Sequence, residues 1–170
     1  MGFSTVDILL DDQYTKNAAS AIRKIDPGIP TAELGYEIVL YAILDHAPVE
    51  RLVTGQGADE LFYGYRAFID NPLMSNERHL KDLFEVTLPR ETRMAEEFSK
   101  TLLTPYLSPR ILEISRSLGR DRNVIGSRNK SPLRDAAIAA GLPEEIAERP
   151  KKAAQYGTLV QKRLRAILRH

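Results

Sequence analysis

Seven consecutive residues, Thr54-Gly55-Gln56-Gly57-Ala58-Asp59-Glu60, follow the short run Val49 to Val53 and lead into Leu61-Phe62-Tyr63-Gly64-Tyr65. Their types and spacing predict a strand, a glycine turn and a helix start. Two glycines two apart let the backbone approach a ligand closely, and amide groups at a following helix start can hold an anion. Phosphate or pyrophosphate is the natural guest. Asp59 and Glu60 would repel a bare anion, so the pair makes sense if a hard divalent cation bridges carboxylate and phosphate oxygens, and magnesium suits that role. Acidic residues in a first turn are also ordinary dipole partners, and Gly-x-Gly alone is a common turn, so this stretch by itself leaves a structural reading open.

The longer string narrows the choice. Residues 54 to 65 resemble the Ser-Gly-Glu-Gly-Ser/Ala-Asp-Glu-x-Phe-Gly-Gly-Tyr loop of the synthetase domain of asparagine synthetases, members of the PP-loop ATP pyrophosphatases that activate a carboxylate by adenylation. Two later segments resemble the same family. Lys130, Leu133 and Arg134 match its Lys-x-x-Leu-Arg helix, and Arg149 and Lys151 match its Arg-x-Lys element, in the same order. The resemblance extends from about residue 30 to residue 157. Taken alone, such lysines are mostly solvated surface charge. The resemblance implies instead that Lys151, and after it Lys130, stabilise charge on a leaving pyrophosphate, the electrostatic work adenylyl transfer depends on. It further implies ATP and Mg2+ as cofactors, with Thr54, Gly55, Gln56, Gly57, Ala58, Asp59 and Arg134 on the nucleotide and Asp59 and Glu60 on the metal.

Several family features are missing. The Ser-Gly-Gly-x-Asp-Ser loop that cradles ATP phosphates is not found in the chain and would lie upstream of Met1, and the glutaminase domain with its N-terminal cysteine is absent too. Gln56 stands where the family carries Glu, keeping an acceptor but no carboxylate to act as a base or hold ammonium. Thr101-Leu102-Leu103-Thr104 precedes Pro105-Tyr106-Leu107-Ser108 in place of the family's Glu-x-Arg before Pro-Phe-Leu-Asp, while Arg93 is a candidate for an upstream family arginine.

The elements that must position these residues read as follows. Val6 to Leu10 is a short β-type run, and Asp12 can cap a helix through about Ile25 with Ala18, Ala19, Ile22 and Ile25 on one stripe. Asp26-Pro27-Gly28-Ile29-Pro30 is a connector, and Thr31 opens a second helix to about His46, apolar almost all round and so expected to be central. Pro48 ends it, and residues 49–54 form a second strand, expected to pair in parallel with the first after a right-handed crossover. Beyond Pro72 the pattern is helical, at roughly 75–87, 90–101, 108–118, 130–140 and 158–169, with no third convincing strand. Arg116 to Arg128 reads as a polar, mobile loop.

Composition excludes several function classes. With 24 basic and 23 acidic side chains the net charge is +1, which gives no global field for holding nucleic acid or an anionic membrane. The basic face of the last helix, with Lys162, Arg163, Arg165 and Arg169, suits a helix end better than an RNA surface. There is no cysteine, hence no disulfide, thiolate metal site or cysteine nucleophile. His46, His79 and His170 are too scattered for a metal site by local spacing. No apolar run is long enough to span a bilayer and no leader-like N-terminus is seen, so a cytoplasmic protein is expected.

The expectation is therefore a single domain over residues 1–170, α/β to about residue 70 and all-helical beyond. It is a helix-rich α/β fold, a short parallel sheet with surrounding helices, and the resemblance implies an adenine-nucleotide alpha-hydrolase-like arrangement in partial form. As a ligase it would adenylate an aspartate-like carboxylate with release of pyrophosphate. The rival expectation is a non-catalytic remnant or half of a split enzyme, acting as an assembly partner, as a homo-oligomer or with a chain that supplies the PP-loop.

Overall fold

The computed structural model describes residues 5–150 and 154–168. In chain order the elements are α1 (Asp12–Ile25), α2 (Thr31–His46), β1 (Arg51–Val53), α3 (Ala58–Leu61), α4 (Arg66–Asp70), α5 (Glu77–Asp82), a π-helical turn (Leu83–Thr87), α6 (Leu88–Glu97), β2 (Thr101–Leu103), a 3-10 turn (Pro105–Leu107), α7 (Pro109–Asn123), α8 (Ser131–Ala139), α9 (Glu144–Ala147), α10 (Ala154–Gly157) and α11 (Val160–Ile167). The chain is helix-rich with a short two-stranded parallel sheet, as its sequence implies. It divides into two compact units, one drawn from Met1–Arg51, Arg90–Thr101 and Lys151–His170, the other from Leu52–Pro89 and Leu102–Pro150.

The first unit is a helical bundle organised by α2. Asp11, rather than the expected Asp12, caps α1 by accepting the Tyr14 amide at 2.7 Å, and Thr15, Ala18, Ala19 and Ile22 are buried on one stripe. Helix α2 packs against α1, α10 and α11, which is why its sequence is apolar on several sides. Gly35 permits the approach of α11, since a Cβ there would lie 2.0 Å from Gln161 Oε1. Arg90 of α6 is sealed in this unit at 1% side-chain exposure, donating to Glu37 Oε1 at 2.8 Å, Asp26 Oδ2 at 2.9 Å and Glu33 Oε2 at 2.8 Å. Burial pushes the Glu37 carboxyl up to about 7, with Arg90 opposing the rise.

The sheet is parallel but not the one expected. Thr101 N–H donates to Glu50 O at 2.8 Å and Thr54 N–H to Leu103 O at 2.9 Å, so β1 pairs with β2, not with residues 6–10. Val6 to Leu10 forms no strand; Leu9 is 93% exposed. The apolar run carries β propensity without a partner, and propensity alone does not make a strand. The strand at Thr101–Leu103 is new. Helix α6 ends at Glu97, not near 101, because Ser99 turns left-handed (φ 54°) and Lys100 N–H returns to Ala95 O at 2.9 Å. The expected loop from Arg116 is instead helical to Asn123, with a break at Gly119 (φ 62°, ψ 176°), and Asn123 is fully buried.

The second unit carries the glycine loop. Its core includes Leu61, Phe62, Phe68 and Val124, and Phe68 sits against Tyr63 and His79 with ring centroids 4.9 and 5.2 Å away. His79 is therefore a packing residue. In the first unit His46 Nδ1 lies 3.0 Å from Ala42 O and its ring packs on Tyr14, while His170 lies outside the described residues.

Candidate functional site

Strand β1 delivers the chain into the loop, and two contacts fix the loop's shape. Thr54 is held to Leu103, and Ala58 N–H donates to Gly55 O at 3.3 Å. Gly57 adopts φ 89°, and a Cβ there would meet Leu107 at 2.3 Å, so any other residue at position 57 is strained by conformation and must displace the Leu107 side chain. Gly55 is different: nothing lies within 4 Å of where its Cβ would stand. Its side of the loop is open to a ligand.

The helix after the loop is a single turn of four residues, Ala58–Leu61. A macrodipole accumulates over longer helices, so the anion-holding helix start expected here reduces to a few turn amides. Asp59 and Glu60, expected on a common metal, are sent to different partners because neighbouring helical residues point about 100° apart. Glu60 is buried, and its carboxylate accepts the Tyr65 hydroxyl. The Asp59 carboxylate pairs with Lys130 Nζ at 3.1 Å, each side chain one-fifth exposed. It also fills the space a side chain at Gly64 would need, with Oδ1 2.0 Å from that position's Cβ direction. Among the described residues no group of three or more His, Cys, Asp or Glu could by itself hold a metal ion. Magnesium is commonly held by one or two carboxylates with substrate phosphates supplying the rest. Asp59 fits that use, whereas Glu60 would first have to leave Tyr65.

Lys130 precedes α8 in a left-handed conformation (φ 51°, ψ 34°), and Pro132 in the first turn of α8 suits the helix start. On one side of it Asn129 Nδ2 donates to Gly64 O at 2.5 Å. On the other, Arg134 Nε donates to Asn129 O at 2.9 Å and Nη1 to Ala147 O at 2.5 Å. Arg134, expected on the nucleotide, thus spends its donors on the protein's own carbonyls. Lys151 lies outside the described residues, whereas Arg149 is exposed. Arg93 belongs to the first unit, where it lines an open groove with Lys24 and Glu96.

Asn129, Tyr65, Arg128 and Glu148 were not legible as site-supporting residues. Arg128 Nη2 donates to Asp135 Oδ1 at 2.7 Å and to Glu148 Oε1 at 2.5 Å, and that guanidinium holds the Glu148 carboxyl below the usual range. No periodicity marks such residues, because their partners are 5 to 65 positions away.

Comparison with known proteins identifies the family. The family model described as asparagine synthase matches residues 75–170, a span that holds Lys130, Arg134 and Lys151. The chain is also similar to a protein of Methanocaldococcus jannaschii provisionally named asparagine synthetase (glutamine-hydrolyzing) 1, with 28% identity over 190 aligned positions. That alignment covers 86% of this chain and 34% of the relative, so the chain spans about a third of the relative's length. With the family model covering more than half of its residues, the chain belongs to the asparagine synthase family.

Proposed function

We propose that the loop at residues 54–60, together with Lys130 and Lys151, takes the magnesium-bound polyphosphate end of ATP in an asparagine-synthase-like ligase. The observation that carries this reading is the Asp59–Lys130 pair at 3.1 Å, beside a glycine loop whose Gly55 face is open. Asp59 would offer an oxygen to the cation, and Lys130 would exchange Asp59 for a phosphate oxygen. Bound Mg-ATP supplies an electrophilic α-phosphorus. With ATP bound, the acceptor carboxylate would be activated with pyrophosphate as the leaving group, and a nitrogen nucleophile would then take the acyl group with release of AMP. The role of this chain's residues is to hold and neutralise the departing pyrophosphate, where charge develops. Thr54, Gly55, Gln56, Gly57 and Ala58 contribute loop atoms, and the fold is adenine-nucleotide alpha-hydrolase-like in this reading. The carboxylate is small and aspartate-like.

Titration calorimetry of Mg-pyrophosphate and Mg-ATP into the chain tests this, with Asp59→Asn and Lys151→Ala beside it. Saturable binding weakened by both substitutions supports the reading. No heat from either ligand overturns it and favours a binding or assembly partner, with the PP-loop supplied by another chain.

A further inference from the structure

Arg134 has the charge and position expected of a phosphate ligand, yet its side chain is only 12% exposed and its fork is occupied. Nε holds Asn129 O at 2.9 Å, Nη2 faces Asn129 Oδ1 at 3.3 Å, and Nη1 reaches Ala147 O at 2.5 Å and Arg149 O at 3.5 Å. Asn129 is thereby gripped by both of its oxygens while its amide nitrogen grips Gly64 O at 2.5 Å. Gly64 N–H in turn donates to Asp59 O at 2.7 Å. The consequence falls on the residue between Asn129 and α8. Lys130 sits in a left-handed backbone conformation that an L-residue keeps only when its surroundings impose it. The surroundings here are Asn129 on one side and, on the other, Leu133 and Arg134, whose amides both donate to Lys130 O at 3.0 and 3.1 Å.

We propose that Arg134 and Asn129 are a positioning pair that sets Lys130 against Asp59, and that Arg134 acts on a bound polyphosphate only through Lys130. The inference deepens the polyphosphate reading and rests on it for the ligand, but the positioning itself is measurable without one. A planar fork reaching several carbonyls is work a lysine ammonium cannot reproduce, so Arg134→Lys should behave like Arg134→Ala.

The test has two arms on the whole chain. In the first, hydrogen exchange and the side-chain NMR signal of Lys130 are compared in the unsubstituted chain, Arg134→Ala, Arg134→Lys and Asn129→Ala. Exchange at residues 129–131 should rise about tenfold in all three variants, and the Lys130 signal should move toward that of a free lysine. Unchanged exchange and signal, or full retention in Arg134→Lys, overturns the positioning role. In the second arm, Mg-pyrophosphate affinity is measured for Arg134→Ala, Lys130→Ala and the double variant. Arg134→Ala should weaken binding about tenfold, and the double variant should bind no worse than Lys130→Ala alone. Losses that multiply would overturn action through Lys130 and make Arg134 a direct ligand. No binding by the unsubstituted chain would overturn the polyphosphate reading, and the first arm would still decide the positioning.

Discussion

Substituting Glu37 by Gln should change how the stability of the chain depends on pH. Glu37 is fully buried in a cluster where one guanidinium, Arg90, faces three carboxylates, Asp26, Glu33 and Glu37. With all three ionised the cluster carries a formal charge of −2, and protonating Glu37 reduces it to −1. Burial and the two other acids therefore raise the pKa from 4.5 to about 7, against the pull of Arg90. Because the folded value is raised, the stabilising contribution is fully present below pH 4.5 and is lost as pH rises through about 7. At 1.36 kcal/mol for each tenfold change, the loss is on the order of 3 kcal/mol. A glutamine keeps the acceptor for Arg90 Nε and does not titrate. The stability of the native chain minus that of Glu37→Gln, from urea unfolding followed by circular dichroism, should thus fall by on the order of 3 kcal/mol between pH 4.5 and pH 8, with the change concentrated below pH 7. Using the difference removes the titrations the two chains share. A difference independent of pH would refute the reasoning.

Other outcomes follow from the same structure. Arg90→Met should cost about 3–5 kcal/mol, since it leaves Glu37 buried without its counter-charge, and the loss should shrink at low pH where Glu37 is protonated; thermal melts at two pH values check this. Gly57→Ala should destabilise by about 1–3 kcal/mol through its positive φ and the contact with Leu107, and should weaken Mg-pyrophosphate binding in calorimetry. Asp11→Ala should cost about 1 kcal/mol by removing the cap of α1, visible as a lower urea midpoint with an unchanged slope.

Much of the architecture was legible from local pattern. The stripe of Ala18, Ala19 and Ile22, the many-sided burial of α2 and the strand leading into Gly55 all follow from periodicity and punctuation. The partner of β1 did not, because Thr101–Leu103 is three residues long and its neighbours, Ser99 and Lys100, look helical until the left-handed turn at Ser99 is known. Residues 6–10 carried a stronger β signal and no ladder, since pairing is decided by what a strand meets. In the site, sequence separates Asp59 from Glu60 by one position, which on a helical turn sends them to Lys130 and Tyr65 respectively. The roles of Arg90 and Arg134 were hidden for a related reason. A buried arginine has the same letter as a solvated one, and only its distant acceptors reveal its use. No helix among the described residues is long and apolar enough to cross a membrane, in line with the absence of such a run in the sequence.

The hydrogen bond from Thr54 to Leu103 has a bearing on the order in which the molecule assembles. The two strands are separated by residues 54–100, so their pairing closes a large loop, and such contacts carry an entropic cost that short-range helices do not. During synthesis α1 and α2 are complete before β2 exists, and the chain that will become the glycine loop emerges with its upstream anchor unpaired. The turn expected to meet polyphosphate thus acquires its fixed shape late, when a segment about fifty residues further on arrives. A correctly shaped glycine loop in this chain is a report that β1 and β2 have paired.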